Sequence, residues 1–188
     1  TFRYAMNAAG GTIMAARDCV KERRPTFCLP RPPGHHAGSE YNMGFCYFNN
    51  VAIAARFLQK QYGLARVGIV DFDVHHGNGT QHIFEDDPTV YYYSIHQHPS
   101  FAYPGTGREF EYGRGDGYGF TKNSPVLPGQ GDEDYRRLLE RDLFPAFADY
   151  KPEAIIVSAG FDGHREDDMS DTKLSTDFYT WMMQQIVN

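Results

Sequence analysis

Apolar positions change their spacing along this chain. From Tyr4 to about Lys21, the residues Ala5, Ala8, Ala9, Ile13, Met14, Ala16 and Val20 recur at helical intervals. Val51–Tyr62 and Ser175–Val187 do the same, and Asn49 or Asn50 caps the first of these two. Asp132–Tyr150 predicts a further helix, with Asp132 as its cap and Leu138, Leu139, Leu143 and Phe147 as its apolar stripe. Pro145 is expected to bend it or end it early. Thr80–Glu85 predicts a short helix. Between these lie nearly uniformly apolar runs at Thr26–Leu29, Arg66–Asp71, Val90–Ile95 and Ala154–Ser158, which read as buried strands. Two long stretches, 30–49 and 96–119, are dense in Gly, Pro, His and aromatics and read as functional loops. Strands alternating with helices predict an α/β fold, a parallel sheet flanked by helices. At 188 residues the chain is expected to form a single domain.

Composition narrows the function only a little. The net charge of −6 argues against a nucleic-acid binder, which would show a basic face. No apolar run is long enough to span a membrane. Cys19, Cys28 and Cys46 are odd in number and widely spaced, which predicts reduced thiols and a cytoplasmic or nuclear setting. The chain opens at Thr1, without Met, and both ends fall beside helical patterns, so both ends are expected to be cut.

Chemistry collects after the apolar runs, where ligands bind in open α/β sheets. His35 and His36 follow the first run, Asp71, Asp73 and His75 the second, Ser94 to His98 the third, and Asp162 the fourth. Asp71, Asp73 and His75 are spaced by two, so an extended segment would aim all three at one face. Two carboxylates and an imidazole together need a cation or hydrogen-bond donors. A mixed nitrogen and oxygen set suits zinc better than calcium or magnesium. The tandem His35–His36 suits acid–base work, with Asp71 as a carboxylate partner behind an imidazole. His76 reads as a residue supporting the ligands, and His164 as structural or at the rim. Gly44, Gly77, Gly105 and Gly160 fit close approach of backbone to a ligand. Phe45 and Tyr103, in the two long loops, fit either the core or the walls of a narrow channel.

With these residues assembled, the sequence resembles the histone deacetylase and acetylpolyamine amidohydrolase family. The matching segments are RPPGHHA (31–37), GFCYFNN (44–50), VDFDVHHGNGTQ (70–81), YPGTG (103–107) and SAGFDGH (158–164). The resemblance implies an arginase–deacetylase fold and a zinc-dependent hydrolase of N-acetyl amides, acetyl-lysine first among them. It implies zinc ligation by Asp73, His75 and Asp162, and water activation by His35 and His36 with Asp71 behind the first. It implies a structural potassium ion at Asp71, Asp73, His75, Ser94 and Ile95. Gly44, Phe45 and Tyr103 match the acyl-lysine tunnel, and Met169 matches a gate position.

Asn78 stands where class I members carry Asp, as in the class II and bacterial branch, and leaves His36 without an anionic partner. The transition-state Tyr or His of the family is expected beyond residue 188, so this chain by itself is expected to be weak or inactive. Two rival readings remain. One is a non-catalytic zinc-bearing acetyl-lysine binder. The other is an arginase-like binuclear manganese hydrolase, disfavoured by Gly77 and His164 where bridging carboxylates would stand. Expected partners are acetylated lysines of proteins or small acetylated amines.

Overall fold

The computed structural model describes residues 1–187. Four strands form one parallel sheet: β1 (Val67–Asp71), β2 (Val90–Gln97), β3 (Thr121–Val126) and β4 (Ala154–Ser158), in the order β3-β2-β1-β4. The central strands β1 and β2 are buried along their whole length, which is why their sequences are apolar runs rather than alternations. Helices cover both faces. On one side, α2 (Asn50–Tyr62) and α3 (Asn78–Phe84) pack Ala52, Ala55 and Phe84 against Val67, Ile69 and Tyr92. On the other, α4 (Asp132–Leu138), α5 (Phe144–Tyr150) and α6 (Thr176–Val187) bring Tyr135, Tyr150, Phe178 and Met182 against Val70, Tyr93 and Ile95. The long α1 (Phe2–Glu22) lies against α2.

Local chemistry explains the boundaries. Asn49 caps α2 by accepting the Ala52 N–H at 3.0 Å, a contact of the kind worth about 1 kcal/mol. Gly63, at φ 69°, ends the helix and returns its N–H to the Gln59 carbonyl.

Three expectations need correction. Residues 26–29 form no strand. Phe27 and Leu29 are 71% and 83% exposed, and Thr26 Oγ1 is tied instead to the Ala15 carbonyl of α1 at 2.8 Å. The fourth strand is β3, whose sequence TKNSPV is too polar to announce itself; as an edge strand it tolerates Pro125. Asp132 does not cap α4, because Gly131 holds that position and its N–H donates to Asp134 Oδ2 at 3.2 Å. Asp132 instead reaches Ser175, accepting its N–H at 2.8 Å and its hydroxyl at 2.6 Å just before α6. Pro145 interrupts the helix as expected, by a π turn at Leu139–Leu143 that absorbs the hydrogen bond Pro145 cannot make.

Candidate active site

The carboxyl ends of β1, β2 and β4 open onto one hollow. Parallel pairing sets Asp71 level with Ser94 on one side and Ser158 on the other. Beyond Asp71 the chain bends rather than staying extended. The Asp73 N–H turns back to Asp71 Oδ1 at 3.2 Å, and the His75 N–H to Asp73 Oδ1 at 2.9 Å. The spacing of two therefore does not put all three side chains together. Asp73 and His75 reach the hollow, while Asp71 lies beneath it, fully buried.

Asp162 arrives from the loop after β4, fixed by the Val74 N–H, which donates to its Oδ1 at 3.1 Å. One donor atom from each of Asp73, His75 and Asp162 lies within 4.8 Å of the others. His75 Nδ1 sits 2.8 Å from Asp162 Oδ2 and 3.1 Å from Asp73 Oδ1. These two acceptors, Asp162 foremost, raise its pKa to about 10. Burial pushes Asp73 upward, but hydrogen bonding and charge from His75, with charge from His35, hold it below the usual carboxylate range. Two carboxylates and one imidazole crowded in this way offer one nitrogen and two oxygens, a donor set that could hold a cation. Backbone makes room for it: a side chain at Gly160 would overlap the Asp73 carboxylate.

His35 and His36 stand beside this cluster, both buried. His35 Nδ1–H donates to Asp71 Oδ2 at 3.0 Å, and its Nε2 lies 4.0 Å from Asp73 Oδ2. Burial disfavours the charged ring, yet Asp71 outweighs it and lifts the pKa to about 9. His36 Nδ1–H donates to Asn78 Oδ1 at 2.8 Å, which leaves Nε2 as the lone-pair nitrogen of the neutral ring. Burial and the neighbouring His35 charge lower its pKa to about 4. Gly44, at φ 56°, must lack a side chain because one would strike the His36 ring.

Tyr103 meets His36 edge-on, with ring centroids 5.1 Å apart and planes at 84°. Phe45 is 84% exposed, and no ring among the described residues packs on it. Met169 is exposed, its N–H held by Asp167 Oδ1 at 2.8 Å, and the adjacent Ser170 hydroxyl donates to the Asp162 carbonyl at 3.1 Å. His76 is buried between Thr106 Oγ1 and Gln81 Oε1, at 2.8 and 2.9 Å from its two ring nitrogens, and supports the 103–107 loop. His164 points away, its Nε2 3.1 Å from Thr176 Oγ1 and its ring stacked on Tyr179.

Tyr92 enters the site without having been singled out in the sequence, and His96 is named there only as part of the Ser94 to His98 cluster. The Tyr92 hydroxyl lies 3.3 Å from Asp71 Oδ2 and 3.2 Å from the Gly77 carbonyl. His96 Nε2–H donates to the Gly107 carbonyl at 2.8 Å, and burial keeps the ring neutral. Its Nδ1 therefore accepts from the Ser94 hydroxyl at 2.7 Å, which leaves the Ser94 oxygen lone pairs available. Parity could have found both residues, since positions 92, 94 and 96 of one strand share a face. Ile95, on the opposite face, is buried in the core.

The chain also matches known proteins over nearly its whole length. The Histone deacetylase domain matches residues 1–188. A "Probable deacetylase" of Archaeoglobus fulgidus is 44% identical over 99% of this chain and 51% of its own length. "Histone deacetylase 14, chloroplastic" of Arabidopsis thaliana is 42% identical over 99% of this chain and 45% of its own. The crystal structure of the acetylpolyamine aminohydrolase from Burkholderia pseudomallei superposes with a TM-score of 0.92 at 37% identity, over 99% of this chain and 54% of that one. The chain thus spans about half the length of these relatives. With its parallel sheet, flanking helices and family-wide match, the chain belongs to the histone deacetylase domain family.

Proposed function

We propose that this chain carries the metal and acid–base residues of a zinc-dependent amidohydrolase that removes acetyl groups from N-acetyl amines, acetyl-lysine foremost. The observation that carries the reading is the convergence of Asp73, His75 and Asp162 beside the His35–His36 pair. Asp73, His75 and Asp162 would hold the metal, three protein ligands being the number that leaves a position open. Bound zinc supplies Lewis acidity toward a carbonyl oxygen and lowers the pKa of water.

The chain's own residues supply the proton chemistry. Neutral His36, with Nδ1–H fixed on Asn78, offers Nε2 as the general base. His35, held protonated by Asp71, contributes positive charge next to the developing oxyanion. On this reading Tyr103, edge-on to His36, and the exposed Phe45, next to Gly44 under the His36 ring, would be the two walls for an extended acyl chain.

The same reading includes a structural potassium ion beneath the site. Asp71 and Ser94 are neighbours in the sheet, and the Ser94 oxygen keeps lone pairs free. Carbonyls of Asp73, His75 and Ile95 complete the proposed set. The apolar Met169 at the rim favours acetylated protein lysines over cationic polyamines. The three cysteines are free thiols, which supports a reducing compartment such as the cytoplasm or nucleus. No helix among the described residues is long and apolar enough to cross a membrane.

The test uses the full-length protein. It should bind about one equivalent of zinc and release acetate from an acetyl-lysine peptide, the stoichiometry of a single three-ligand site. Zinc binding and peptide binding without acetate release would favour the non-catalytic binder instead.

A further inference from the structure

Gln97 closes β2 and is 3% exposed. Its N–H donates to the Val74 carbonyl at 2.9 Å, between Asp73 and His75. Its side chain reaches two different loops. Oε1 accepts the Asp171 N–H at 2.8 Å. Nε2 donates to the Phe101 carbonyl and to Asp171 Oδ2, each at 3.4 Å. Phe101 lies two residues before Tyr103, and Asp171 two residues after Met169.

Other anchors tie each loop to the scaffold but not to the other loop. The 98–107 loop is held by the His98 N–H on the Val126 carbonyl, by Thr106 on His76 and by the Gly107 carbonyl on His96, and it closes on itself through the Phe101 N–H to the His98 carbonyl and the Gly105 N–H to the Ala102 carbonyl. The 163–174 segment is held by Ser170 on the Asp162 carbonyl and by the Gly129 N–H on the Asp171 carbonyl. The Gln97 amide touches both.

We propose that Gln97 is a positioning residue, a buried amide strap that joins the 98–107 loop to the 163–174 segment and sets the separation of Tyr103 and Met169. That separation then selects which acylated side chains enter. The donor–acceptor polarity of the amide suits the task, because one end must accept from a main-chain N–H while the other donates to a main-chain carbonyl. The selectivity half of the inference rests on the deacetylase reading; the mechanical half does not.

Two variants of the full-length protein test it. Gln97→Met keeps the volume and removes all three side-chain bonds. Gln97→Asn keeps an amide but is one methylene too short to span both loops. In Gln97→Met, backbone amide exchange across 98–107 and 163–174 should rise together, by about tenfold, with β1 and β2 unchanged. KM for an acetyl-lysine peptide should rise about threefold to tenfold while kcat stays within about twofold. Unchanged exchange in either loop, or a fall in kcat at constant KM, would overturn the proposal. If Gln97→Met does not fold, the same two measurements on Gln97→Asn decide it. An unmutated protein without turnover would count against the deacetylase reading, and the exchange experiment would still decide whether Gln97 couples the loops.

Discussion

His35 and His36 are neighbours in sequence and in space, their ring centroids 4.0 Å apart, yet only His35 has a carboxylate on its Nδ1. Asp71 favours the charged form of one ring, and Asn78 leaves the other neutral. His36→Ala should therefore lower kcat/KM by about 10²–10⁴-fold, the usual weight of a general base. His35→Ala should cost less, and both should retain zinc. Steady-state kinetics with metal analysis checks this; a larger loss at His35 reverses the two roles.

Asn78→Asp changes the partner of His36 without moving it. A carboxylate on Nδ1 favours the imidazolium, so the pKa of His36 rises. The acid limb of the kcat/KM profile should then shift to higher pH, because the neutral base is lost earlier on acidification. An unmoved limb would remove His36 from the base role.

Asp162 supplies one of the three converging donors. Asp162→Asn should weaken zinc binding by at least about tenfold, and metal analysis after dialysis would show it. Full zinc occupancy in this variant would exclude Asp162 as a ligand.

Metal removal exposes a second consequence of the same crowding. In metal-free protein His75 keeps its proton up to about 10, because Asp162 and Asp73 accept its hydrogen bonds. The unfolded chain releases that proton near ~6.5. Stability from this group is fully present below the unfolded value and is lost as pH rises toward the folded one. Chelator-treated protein should therefore show a Tm that falls between those limits, and His75→Gln should flatten the fall. A Tm that climbs over that interval would contradict the assignment.

Phe45 sits at φ 62° with its ring in solvent, next to Gly44 at φ 56°. The Cys46 N–H closes this tight turn on the Met43 carbonyl at 2.9 Å. A left-handed non-glycine residue costs about 1 kcal/mol or more. Phe45→Gly should raise stability by about 0.5–1 kcal/mol in denaturant titration. The same change should raise KM for an acyl-lysine peptide and weaken a hydroxamate inhibitor. A variant that is more stable and binds both normally would remove Phe45 from the channel.

Much of this was legible in the chain, and the exceptions have physical causes. Apolar runs revealed β1 and β2 because strands covered on both faces have no alternation to hide, and they revealed β4 too, although that edge strand is only partly buried. The 26–29 run misled because apolar composition does not supply a partner strand, and β3 escaped because an edge strand can be polar. The histidine pair, Asp73, His75 and Asp162 were readable as a set, since their residue types are costly together without a cation. Tyr92 and Gln97 were not, because a Tyr in an apolar strand and a Gln at a strand end look like packing and solvent. Parity puts Tyr92 on the face of Ser94, but its approach to Asp71 needs the pairing of β1 with β2, and the contacts of Gln97 need the loops around Phe101 and Asp171 to be in place.

The placement of Asp162 also orders events in folding. Asp73 and His75 follow β1, but Asp162 follows β4, and the bond that fixes it on Val74 spans 88 residues of sequence. On the proposed zinc reading, the third ligand arrives only when β4 docks on β1, and full metal capture waits for that step. Long-range parallel pairing of this kind is intrinsically slow. Metal uptake by the refolding chain should therefore trail the appearance of helix, so that a zinc-sensitive dye reports completion of the fold rather than its nucleation.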